Sequence, residues 1–234
     1  MKKIGFIIFV IALAVGLAVS SLFSFGRATG KLFNFDIGSG GTSGSGHIAS
    51  EKRDLSGFNA IEVGGTFQVE IVAQKDFDVE VTGDNNLLPL IKTEVDGGVL
   101  RIQRDGRMSP TKPILIRVSA PDINSMEISG AAAVTAGGLK NNRTSVELSG
   151  KSDLKIAGQT DNFVVELTGA SYLDAENLNA VDATVDTSGA SSVLVNATGK
   201  LTADASGAST VTYIATPTNL VKSSTGAATI SQKN

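Results

Sequence analysis

Residues 126–150, MEISGAAAVTAGGLKNNRTSVELSG, carry one motif twice, as Ile128-Ser129-Gly130-Ala131 and Leu148-Ser149-Gly150-Lys151. It returns at Leu167-Thr168-Gly169-Ala170, Thr187-Ser188-Gly189-Ala190, Ala205-Ser206-Gly207-Ala208 and Ser224-Thr225-Gly226-Ala227, with glycines 20, 19, 20, 18 and 19 residues apart. A period of this length marks stacked structural repeats. Aligned on the glycine, the fourth residue after it is Val134, Leu154, Leu173, Val193, Val211 or Ile230, and the fourth before it Met126, Val146, Val165, Val185 or Ala203. Two before it stand Ile128, Leu148, Leu167, Thr187 and Ala205, and three before it Glu127, Glu147, Glu166, Asp186 and Asp204. Alternation at period 2 is the signature of a strand with one buried face, and the acids fall on the outer one.

A second turn signal follows about eight residues after most of these glycines, at Gly137-Gly138, Gly158, Glu176-Asn177, Thr198-Gly199 and Thr216-Pro217. Two corners per repeat predict an all-β fold, a single-stranded parallel β-helix (β-solenoid) of about 19-residue coils stacked at the ~4.8 Å strand spacing. Gly130, Gly150, Gly169, Gly189, Gly207 and Gly226 are then structural corners, where φ is positive and the next coil's backbone passes close above. In the last copy Lys222 and Ser224 take inward positions and Ser223 replaces the acid, a polar end suited to capping the stack.

The chain of 234 residues has 26 glycines, no cysteine, no tryptophan and one histidine. That excludes disulfides, thiolate metal sites and thiol nucleophiles. The net charge of −3 argues against a nucleic-acid partner. Met1-Lys2-Lys3 followed by the apolar run 4–19 reads as an export signal, so 1–25 is expected to be an apolar helix serving as signal peptide or membrane anchor. Residues 26–50, with Gly38-Ser39-Gly40-Gly41-Thr42-Ser43-Gly44-Ser45-Gly46, read as a flexible tether. The solenoid is expected over 51–234, with 51–120 its irregular first coils and 121–234 the six regular repeats; Asp96-Gly97-Gly98 is read as one of the turns in those first coils.

Arg53-Asp54-Leu55-Ser56-Gly57-Phe58-Asn59-Ala60-Ile61-Glu62-Val63, Gly83-Asp84-Asn85-Asn86-Leu87-Leu88, Val95-Asp96-Gly97-Gly98-Val99-Leu100-Arg101-Ile102 and the serial Ser-Gly-Ala-Ser corners resemble the GIN domain family, the head domain assigned to autotransporter adhesins, over roughly 51–234. The resemblance implies a right-handed, pectin-lyase-like β-helix without catalytic residues, exported from a Gram-negative-type cell, with adhesion as its expected role.

The residues themselves offer little catalytic machinery. His47 lies in the tether, and the corner serines have no base beside them. A column of Glu127, Glu147, Glu166, Asp186 and Asp204 could supply paired carboxylates, but a uniform ladder lacks the unequal environments that separate acid from base. The same column could hold a weak cation such as Ca²⁺, relieving its own repulsion. Phe163, Tyr172 and Tyr213 are too few aromatics after residue 120 for a stacking platform. The expectation is an exported, non-enzymatic binding or adhesion surface in the periplasm, membrane-anchored or on the cell surface, without catalytic residues or a required cofactor. Its partner would be an envelope or extracellular glycan or protein, with a membrane contact through 1–25 if that segment is retained. The alternatives are a polysaccharide-active enzyme on the same scaffold and an envelope scaffold without a ligand.

Overall fold

The computed structural model describes residues 41–233, and the expected helix over 1–25 lies outside them. Within the described residues the protein is built of strands, with one 3₁₀ turn at Leu88–Leu90 and no α-helix, and no helix is long and apolar enough to cross a membrane.

From Ser125 onward each rung of the chain has three sides. The first is the strand that ends at the corner glycine, such as Ser125–Gly130. The second follows the corner, and the third is a short stretch that leads back to the first side of the next rung. The long strands Ala133–Leu148, Asp153–Leu167 and Tyr172–Thr187 each run along all three sides. They bend where the register slips, between Ala136 and Leu139 and between Lys155 and Ala157. Gly138 and Gly158 sit at or beside these slips with φ of 77° and 143°, which supplies the left-handed backbone of the bend.

Successive rungs pair in parallel and in register, Val146 on Val165, Val165 on Val185, Val185 on Ala203. One inward column is therefore continuous, and the core is made of such columns of Val, Leu, Ile and Ala with Phe163 among its largest members. All the inward positions read from the alternation are buried through Ala205 and Val211. The last rung, Asn219–Ser224 and Thr229–Gln232, is mostly exposed. Lys222 stands 6.0 Å over the Tyr213 ring, so a cation covers the end of the core.

The expectation of a single-stranded parallel β-helix is corrected by residues 48–120. Three pairings there are antiparallel: Ile48–Arg53 with Asp78–Asp84, Asp78–Asp84 with Leu115–Ala120, and Ile91–Asp96 with Val99–Arg104. The sheet is therefore mixed. The physical reason is plainest at Asp96-Gly97-Gly98-Val99. Asp96 pairs with Val99 across a two-residue loop whose glycines have φ of 58° and 81°, the primed turn that reverses a strand upon itself. The turn read here within a parallel coil is a hairpin between antiparallel strands.

Stacking order also departs from chain order. Ala60–Gly65 and Gln68–Ala73 pair above with Ser125–Gly130 and with the start of Ala133–Leu148. Below they pair with Val99–Arg104 and Leu115–Ala120, which come later in sequence. Residues 74–122 thus leave the stack, form its closed end and return.

The segment read as tether is bonded to this closed end from Thr42 onward. Thr42–Ser43 pairs with Met108–Ser109, and Ile48–Arg53 is a full sheet strand. Between them the buried carboxylate of Asp84 accepts from Gly46 N at 2.7 Å, Thr111 N at 2.8 Å and Thr111 Oγ1 at 2.7 Å. Residues 26–40 lie outside the described part.

Candidate functional site

The alternation that buries one face of each first-side strand presents the other face as columns. Glu127 pairs with Glu147, Glu147 with Glu166, Glu166 with Asp186 and Asp186 with Asp204, so all five predicted acids form one exposed column. Asp204 is followed by Ser223, where the charge ends. Hydroxyls flank it on the side toward the corner, at Ser129, Ser149, Thr168, Ser188 and Ser206.

The column runs further than the sequence reading placed it. Glu127 pairs on its other side with Glu62, and Glu62 with Arg101. Arg101 donates from Nε to Glu62 at 2.9 Å and from Nη1 to Asp96 at 2.9 Å, a cationic stop at the closed end. The signal was present in Ile61-Glu62-Val63-Gly64-Gly65, whose acid also stands three before a glycine, but residues 66–125 separate it from the next copy. Burial first, then the charges of Glu147 and Glu62, push the Glu127 carboxyl above its ordinary range, while Arg101 opposes them. Among the described residues no three of the His, Asp and Glu side chains converge as a metal site would require. Lys155 lies on the second side, away from the column, 3.9 Å from Asp174.

The six corner glycines all have φ between 73° and 87°. A Cβ on Gly169 would lie 2.6 Å from the Gly150 carbonyl oxygen, and one on Gly207 at the same distance from that of Gly189. Two residues past the glycine, Ser152, Ser171, Ser191 and Ser209 are buried, and each Oγ donates to the carbonyl three residues back, at 2.8 to 3.0 Å. These serines, each the last of a Ser-Gly-Ala-Ser-type signature, satisfy a corner carbonyl and close the turn.

The larger hollows lie away from the acidic column. One of about 700 Å³ is framed by the 74–78 bend and Pro121, and one of about 470 Å³ runs along the third side between Lys140 and Thr198. In the first, Gln74 adopts a left-handed φ of 63° and Phe77 packs at 5.0 Å on Phe58. His47 sits on the strap at the closed end, its carbonyl accepting from Asn85 N.

Over residues 57–217 the sequence matches the family described as "Putative auto-transporter adhesin, head GIN domain". No curated protein matches the chain. Among solved structures it is similar to a protein described as a putative adhesin from Bacteroides fragilis, at 20% identity and TM-score 0.68, covering 82% of this chain and 100% of that one. A putative adhesin from Parabacteroides distasonis aligns at 19% identity and TM-score 0.55, covering 82% and 99%. A putative lipid binding protein from the same species aligns at 18% identity and TM-score 0.50, with the same coverage. At these identities the likenesses show the fold alone.

Proposed function

We infer that this chain, which belongs to the head GIN domain family, is an exported, non-enzymatic binding head that works at the cell envelope through its first side. The observation that carries this reading is the in-register acidic column with its flanking hydroxyls, open to solvent across successive rungs. Each rung offers the same weak contact at one strand spacing, so a partner with repeated cationic or hydrogen-bonding groups gains affinity by multivalency. The column attracts basic or cation-bridged surfaces, and salt screens the attraction beyond a Debye length of about 8–10 Å. Its carboxylates line an exposed face and not a cleft, which favours binding over the glycosidase-like alternative. Segment 1–25 supplies export and, where retained, attachment to the membrane, with 26–40 as spacer.

The test is binding of purified protein to isolated cell envelopes across a salt series, for wild type and the triple variant Glu147→Gln, Glu166→Gln, Asp186→Asn. Wild-type binding is expected to fall with salt. The variant should bind several-fold less at low salt and melt at the same or a slightly higher temperature, because like charges opposed across strands are removed. Added Ca²⁺ should raise wild-type binding or melting temperature and leave the variant unmoved. Equal binding by both proteins at every salt concentration rejects the first side as the contact surface.

A further inference from the structure

The two larger hollows differ in where their polar groups are engaged. Around the one of about 700 Å³ three lining side chains are engaged by the protein: Gln74 Nε2 donates to the Pro121 carbonyl, Ser119 Oγ to the Asp76 carbonyl, and Asp78 pairs with Lys52 at 2.8 Å. The third-side groove of about 470 Å³ is built the other way, with a locked floor and free walls.

Its floor is the in-register pair Asn141 and Thr160. Asn141 donates from Nδ2 to the Ile123 carbonyl at 2.9 Å, and its Oδ1 accepts from Thr144 at 2.8 Å and Thr160 at 3.1 Å. One wall is the column Lys140, Gln159 and Asn179, in register across three rungs. The other holds Asn142, Asp161 and Val181. Among the described residues the side chains of Lys140, Asn142, Gln159 and Asp161 form no hydrogen bond or ion pair with the protein. Asn179 accepts only from Asn196, at 3.1 Å. Val181 is a large aliphatic side chain that stands 50% exposed.

We propose that this groove binds a linear, uncharged glycan chain. Side-chain amides carry donor and acceptor side by side, which matches the adjacent hydroxyls of a pyranose, each both donor and acceptor. Lys140 and Asp161 are the charged lining groups and cancel, so no net field selects a polyanion or polycation. Val181 offers an aliphatic surface to the C–H face of a sugar ring. The rungs repeat at the ~4.8 Å strand spacing, comparable to the length of one pyranose, so consecutive sugars meet consecutive rungs. The volume lies within the range of small-ligand sites, about 300–1,000 Å³. The site is separate from the acidic column and rests on the binding-head reading only for its cellular setting.

Calorimetric titration of the full-length protein in a non-glycosidic detergent tests it, with cellohexaose, mannohexaose and chitohexaose as probes and hexagalacturonate as the charged comparison. At least one neutral hexasaccharide should bind at millimolar concentration or below, and hexagalacturonate should bind more weakly. The double variant Gln159→Ala, Asn179→Ala removes exposed wall groups, so the melting temperature should hold while affinity falls about tenfold. The triple acidic variant should bind the glycan as wild type does. Absence of binding by all three neutral probes, equal or tighter binding of hexagalacturonate, or an unchanged affinity in the double variant overturns the proposal. Glycan binding that persists while envelope binding ignores the acidic column would reject the first-side reading alone.

Discussion

Gly169 has no space for a side chain and no backbone conformation that would suit one. Its φ is 77°, and the Gly150 carbonyl oxygen occupies the position next to any Cβ. Gly169→Val should therefore destabilise the protein by roughly 2–4 kcal/mol, combining left-handed strain of a β-branched residue with displacement of the neighbouring rung. Thermal melting measures it, and a transition within error of wild type contradicts the packing at the corner. This residue was legible in the sequence because a repeat displays the same constraint six times. The outward acids were legible for the same reason, since period 2 assigns each position to a face. The buried corner serines were not. A serine two past a glycine reads as exposed polarity until the carbonyl three residues earlier is seen to accept its proton.

Among the elements, the stretch that leads from Thr42 to the strand Ile48–Arg53 is clasped at Asp84, with Asn85 and Asn86 bonded to it alongside. Burial alone would raise the pKa of Asp84, but donation from the Thr111 hydroxyl, Thr111 N and Gly46 N outweighs it and holds the carboxyl below its ordinary range. A folded pKa below the unfolded one contributes stability that is complete above the unfolded value of about 4 and lost as pH falls through the folded value. Asp84→Asn should release residues 41–47, raising their amide exchange and their cleavage by added protease at pH 7. It should also flatten the acid limb of the wild-type stability curve below about pH 4. An acid limb identical in wild type and variant would show that the clasp is not the titrating element. The hairpin at Gly97-Gly98 shows why the elements of 48–120 were harder to assign than those after 125. Two glycines between alternating strands serve a corner and a reversal equally well in sequence, and the pairing of Asp96 with Val99 decides between them. The third-side groove was hidden differently. Its short stretches carry no alternation long enough to separate from the turns around them, so only the turn signals at Gly158 and Thr198-Gly199 were read, and the floor and walls beside them were not.

Across the whole molecule, protection should grade along the stack. Asn219–Ser224 and Thr229–Gln232 are covered by a rung on one face only, whereas the strands of residues 134–187 are bonded above and below. Hydrogen exchange should open the last rung first, at Val221 and Ile230, and the amides of Val165 and Val185 last. Uniform protection from end to end would mean the stack opens as one unit and carries no gradient. The two ends differ in kind: residues 74–122 fold back to close one, while Lys222 and exposed serines finish the other. Between them the first-side strands of successive rungs meet in unbroken register. A chain lengthened by one further repeat in the middle would leave both ends untouched and set them about 4.8 Å farther apart. The stack is graduated like a ruler, and its length is a quantity that duplication of a single motif can adjust in equal steps.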